Sequence, residues 1–108
     1  MPRLLRLALV LAAVPVVLPA CGFMTAEEAA REFLPVFCDK MKECNPTGFA
    51  SAFPGGQQEC IDKGIATIPE DKRQMRDACT ESEIDVCVED TRKMACPATT
   101  MAPSCAKC

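Results

Sequence analysis

Cys105 and Cys108, in the closing run Cys-Ala-Lys-Cys, have the spacing of a redox-active thiol pair and of half a zinc site. A redox pair of this kind opens a helix in a strand-helix-strand setting, where the helix N-terminus favours the thiolate. Here the run ends a Pro/Thr/Ser-containing tail with no strand pattern near it. A zinc site needs four ligands, and a chain without His would have to take them all from thiols in an oxidising compartment. The expectation is therefore that Cys105 and Cys108 are ordinary disulfide partners, with no metal and no cofactor. Thiol redox or soft-metal binding through the same two residues is the alternative. Ser51, Ser82 and Ser104 have no His to activate them. The acidic pairs Glu27/Glu28, Glu70/Asp71 and Glu89/Asp90 read as solvated helix positions, so no catalytic residue and no enzyme is expected.

A second reactive cysteine, Cys21, stands behind an apolar run. The chain begins with the basic stretch MPRLLR, continues apolar from Leu7 to Leu18, and closes on Pro-Ala-Cys, which is the layout of a secretory signal peptide. A membrane span needs about 20 apolar residues. This run is shorter and is broken by Pro15 and Pro19.

Leu18 to Cys21, Leu-Pro-Ala-Cys, resembles the lipobox of bacterial lipoproteins, with Pro19 where a small or β-branched residue is more usual. The resemblance implies cleavage between Ala20 and Cys21, a diacylglycerol thioether on Cys21 and an acylated amino group. With Gly22 after the cysteine in place of Asp, it also implies onward sorting to the outer membrane. Parity agrees with the motif. The chain has nine cysteines; one taken by lipid leaves an even set for disulfides.

Composition bounds the rest. With 108 residues, five Phe, no Trp and no Tyr, the chain is one small domain with a modest core, and its cysteine content is that of a disulfide scaffold made in an oxidising compartment. Loss of Arg3 and Arg6 with the leader makes a chain of formal net charge −3 more acidic by two. That excludes nucleic acid, which rewards clustered Lys and Arg, and leaves membrane attachment to acyl chains, each methylene contributing about 0.8 kcal/mol.

The elements that position the cysteines read as helices, so the fold class is all-α: a small disulfide-stapled domain of about three to four short helices after a cleaved signal peptide. The expected divisions are residues 1–20 as signal peptide, 21–24 as lipid-anchored segment, 25–96 as helical domain and 97–108 as a tail held by two cysteines. The first helix opens with Thr25 and Glu28 at capping-box spacing, and Ala30, Phe33, Leu34, Phe37, Met41 and Cys44 recur on one face. Pro35 predicts a kink, or an ordered start near Leu34. Asn45 to Gly56 reads as a loop by its Asn-Pro, Thr-Gly and Pro-Gly-Gly punctuation. A second helix is predicted over 57–67 with Ile61, Gly64 and Ile65 inward, ended by Pro69. The last opens with Thr80 and Glu83 in a capping box. Ile84, Cys87, Val88, Thr91 and Ala95 form its inner stripe, with Glu89 and Lys93 paired outside.

The disulfide candidates are Cys38, Cys44, Cys60, Cys79, Cys87, Cys96, Cys105 and Cys108. On a helix, Cys38 and Cys44 would differ by about 9 Å in height and about 240° in direction, too far for one bridge. Cys87 and Cys96 fail likewise, so each must clamp its helix to another element. If the first and last helices ran antiparallel, partners would have residue numbers of nearly constant sum. That favours Cys38 with Cys87, and Cys44 with Cys79 or Cys60, leaving the others open.

Beyond residue 30 the chain resembles the small cysteine-rich predicted lipoproteins of myxobacteria and related Gram-negative bacteria, through FCDKMKECNPTGFASAF, QQEC, ACTESEIDVCVEDTRKMAC and PSCAKC. The resemblance implies an exported, disulfide-bonded helical domain of the cell envelope and carries over no catalytic residue. The expected function is a lipid-anchored binding or structural module, its partners the membrane through Cys21 and an unidentified protein or small ligand. Four bridges are worth about 10 kcal/mol or more in the chain-entropy model, comparable with the stability of a whole small domain. Full reduction should therefore unfold it; far-ultraviolet circular dichroism should lose its helical signal in excess reductant, and an unchanged spectrum would refute this.

Overall fold

Thr25 starts the first helix because its hydroxyl accepts the Glu28 N–H at 3.1 Å, satisfying one of the donors left bare at a helix start. The computed structural model describes residues 22–97 and 101–108, so the expected signal segment and the cleavage site expected at Ala20 and Cys21 lie outside the described residues. Helix α1 runs Ala26–Cys44 with Pro35 inside it. Its ordered part therefore begins at Ala26 and not near Leu34. Pro35 lacks a donor for the carbonyl one turn back, at exposed Arg31, a stretch where water is available to that carbonyl.

The expected loop after Asn45 is in part a helix, α2, Pro46–Ala52. Asn45 caps it by accepting the Gly48 N–H at 3.0 Å, and Pro46 occupies the first turn, where its fixed φ fits and its missing N–H costs nothing. Phe49 and Phe53, one turn apart with ring centroids 5.1 Å apart, give the segment its inward face. Helix α3, Gln57–Ala66, starts after Gly56, whose φ of 81° lies where glycine is preferred. Helix α4, Glu81–Lys93, has the full capping box: Thr80 accepts the Glu83 N–H and the Glu83 carboxylate accepts the Thr80 N–H. It ends at Lys93, so Ala95, expected on its inner stripe, is exposed beyond it. Short 3-10 helices cover Glu70–Lys72 and Pro103–Lys107. Among the described residues there is no strand, and no helix is long and apolar enough to cross a membrane.

Helix α1 is the shared spine, packing on both α4 and α3. Around its first half, Ala29 joins Cys79, Ile84, Cys87, Ala102 and Cys105 in one buried cluster; around its second, Cys38 joins Phe49 and Cys60 in another. The α1–α4 pair is parallel. Met24 donates to the Cys79 carbonyl at 2.7 Å at one end, and Lys40 reaches the Met94 carbonyl at the other. The α1–α3 pair is antiparallel, with Gln57 bonded to Asp39 and Gly64 set against Leu34. That last contact is close. A Cβ placed on Gly64 would lie 2.6 Å from Leu34 Cδ2. The Gly64→Leu variant, with a whole side chain at that contact, should lose about 1–3 kcal/mol in urea unfolding; wild-type stability would mean that the helices can separate there freely.

Candidate functional site

Every sequence-predicted disulfide cysteine from Cys38 to Cys108 is bridged. The pairs are Cys38–Cys60, Cys44–Cys96, Cys79–Cys108 and Cys87–Cys105, with Cα–Cα distances of 6.1, 5.3, 4.8 and 4.7 Å, all within the span an S–S bond allows. As expected, none joins Cys38 to Cys44 or Cys87 to Cys96. The favoured Cys38–Cys87 pairing and both options for Cys44 are wrong. Antiparallel helices would give partners a constant sum of residue numbers; parallel α1 and α4 give a constant difference. Lys40 and Met94 are 54 residues apart in sequence and Cys44 and Cys96 are 52 apart. The constant-sum relation holds for α1 and α3, which is where Cys38 finds Cys60.

Cys105 and Cys108 do not pair with each other. One turn of the Pro103–Lys107 helix puts both sulfurs toward α4, where Cys105 takes Cys87 and Cys108 takes Cys79 just ahead of the Thr80 cap. Cys105 is 1% exposed, and Thr91 Oγ1, which donates to the Cys87 carbonyl at 2.8 Å, lies 3.5 Å from its sulfur. A pair that must cycle between dithiol and disulfide within Cys-Ala-Lys-Cys is not present; Cys105 instead staples the last segment to α4, and Cys108 staples it to the residue ahead of the α4 cap. No group of three or more His, Cys, Asp or Glu side chains that could hold a metal occurs among the described residues.

The acidic pairs are placed as surface groups. Glu27 meets Arg31 at 3.2 Å and also accepts from Gln74, while Glu89 meets Arg92 at 3.2 Å and Lys93 at 3.7 Å. Asp90 accepts the Ser104 hydroxyl proton at 2.7 Å, tying the last segment to α4 once more. Glu59, a carboxylate not singled out in the sequence, is held below its ordinary pKa by the Lys63 ammonium first and by the Gly55 N–H second. Its pairing therefore holds at neutral pH and is lost as acid protonates it.

Lys40 was also missed. It lies buried on α1, donating to the Met94 carbonyl at 2.9 Å and facing Glu43 at 3.3 Å, so its charge closes the C-terminal end of α4 beside the Cys44–Cys96 bridge. Its position next to Met41 on the apolar side of α1 was the available signal, but its partner belongs to a helix far along the chain.

Several recesses are formed among the described residues, and three of them border α1. An apolar cavity of about 210 Å³ lies between α1, α4 and the last segment, walled by Phe33, Ile84, Met101 and the Cys87–Cys105 bridge. A groove of about 370 Å³ at the far end of α1 is lined by Met41, Phe49, Phe53 and Pro97. A charged recess of about 430 Å³ at the near end is bordered by Phe23, Arg31, Arg76 and Glu81. None of these three holds a nucleophile with a base. Comparison with protein-family models finds no match, and comparisons with curated proteins and with solved structures find none either.

A non-reducing peptide map of the native protein should yield four cross-linked species matching these pairs and no alkylated thiol among the eight residues. A single peptide carrying a Cys105–Cys108 bond would overturn the arrangement.

Proposed function

We propose that this chain is an exported lipoprotein of the cell envelope, anchored through lipid on Cys21 and serving as a non-enzymatic binding or structural module. The observation that carries the reading is the cysteine account. Eight of the nine cysteines are consumed in bridges among themselves, which agrees with a ninth, directly behind an apolar leader, whose sulfur is taken by diacylglycerol. Disulfide density on this scale suits a compartment outside the cytosol. An acyl anchor also fits a domain whose acidic surface gives it no electrostatic attraction to anionic lipid. Gly22 after the cysteine favours the outer membrane as its destination.

A module of this kind works by presenting a fixed surface. The Cys38–Cys60 and Cys44–Cys96 bridges hold the α2 end of the domain in a single arrangement, with the Phe49 and Phe53 groove open to a protein or small ligand. The intact mass of protein extracted from its native membranes should correspond to a chain starting at Cys21 with a diacylglycerol, a further acyl group and eight hydrogens fewer than the reduced form. Cys21→Ser should abolish both acyl additions and move the protein from the membrane fraction to the soluble one. An unmodified mass for the wild-type protein would end the lipoprotein reading.

A further inference from the structure

If Cys21 carries the lipid, the distance from the anchor to the folded domain is set by very few residues. Met24 is already fixed: its N–H donates to the Cys79 carbonyl at 2.7 Å and its carbonyl accepts the Ala78 N–H at 3.3 Å. Thr25 follows as the buried cap of α1. Only Gly22 and Phe23 remain as slack, so the Cα of Cys21 lies at most about 11 Å from that of Met24, at up to about 3.6 Å per extended residue. The domain has no tether long enough to stand away from the bilayer.

The end held this close has a distinctive surface. Arg73 to Cys79 is strapped against the start of α1: the Arg73 carbonyl accepts the Glu27 N–H at 3.1 Å, Gln74 donates to Glu27 at 2.9 Å, and Ala78 and Cys79 pair with Met24. That strap carries Met75, 48% exposed, and the N-terminal segment paired with it through Met24 carries Phe23, 52% exposed. These are two of the four large apolar side chains left open to water among the described residues. Arg76 and Arg31 border the same recess as Phe23, together with Glu28, Glu32 and Glu81. Apolar side chains flanked by arginine suit the headgroup boundary, where the apolar part enters the acyl region and guanidinium groups meet phosphate. The three carboxylates select a zwitterionic surface, whose ammonium groups they can face, over an anionic one that would repel them.

We propose that this end of the domain, where α1 and α4 both begin, lies directly on a zwitterionic phospholipid surface, with Phe23 and Met75 in the headgroup boundary and Arg31 and Arg76 toward phosphate. The proposal rests on the lipid anchor at Cys21. Because α1 and α4 are parallel, it also fixes which end points outward: the α2 end, with its Phe49 and Phe53 groove.

The test uses full-length lipidated protein in nanodiscs of phosphatidylethanolamine and phosphatidylcholine containing a headgroup-spin-labelled lipid, with acylation first verified by mass and amide signals then read by nuclear magnetic resonance. Amides of Gly22–Met24 and Gln74–Asp77 should be broadened several-fold more than those of Pro46–Ala52. The Phe23→Ser/Met75→Ser variant alters only exposed side chains and should cut the broadening at Gln74–Asp77 several-fold with acylation unchanged. A flexible Gly/Ser insert of about a dozen residues after Gly22 should even out the two ends. Equal broadening at both ends of the acylated wild-type protein would overturn the apposition while leaving the anchor intact. A mass without acyl groups would overturn the anchor and the apposition together.

Discussion

Cross-linked sulfur is the constraint on which this domain depends. Of the ten buried apolar residues among those described, five are cysteines, and only Phe49, Ile65 and Ile84 are large hydrocarbons. Such a core buries too little apolar surface to hold four helices by the hydrophobic effect alone. The bridges act on the other side of the balance, by restricting the unfolded chain. They also fill volume where they lie, since Cys38–Cys60 forms the centre of one cluster and Cys87–Cys105 that of the other.

The distribution of the bridges follows the path of the chain. Helix α1 turns back through α2 and α3, and the segment after Ala66 then returns to the starting end before α4 begins. That return is what makes α4 parallel to α1. Helices α1, α3 and α4 are thus each cross-linked at least once, and Lys40 adds a charged contact where the parallel pair ends.

Local structure was legible wherever a short-range hydrogen bond decides it. Thr25 and Thr80 mark true helix starts, and α3 begins at Gln57 as its pattern predicts, because capping and apolar spacing are written within a few neighbouring residues. Asn45-Pro46 was ambiguous in principle: the same two residues open a turn or cap a helix, and the choice was made by Phe49 packing on the second cluster. Cysteine pairing was the least legible. The exclusion of Cys38–Cys44 followed from geometry within one helix, whereas the allowed pairs required the relative direction of α1 and α4, which is set by the Met24 ladder to Ala78 and Cys79 and leaves no periodic trace. Lys40 escaped for the same reason, its acceptor being a backbone carbonyl on another helix.

The order of the bridges along the chain has a consequence for scission. The Cys38–Cys60 loop overlaps the Cys44–Cys96 loop, which overlaps the Cys79–Cys108 loop. Every peptide bond from Cys38 to Cys108 is therefore spanned by at least one sulfur bridge, and a protease that cuts any one of them leaves a nicked but covalently whole molecule. Only a cut ahead of Cys38, in the exposed entry at Gly22–Phe23 or in the first half of α1, divides the chain in two. Against single cleavage events, the domain yields only on the N-terminal side of its first bridge.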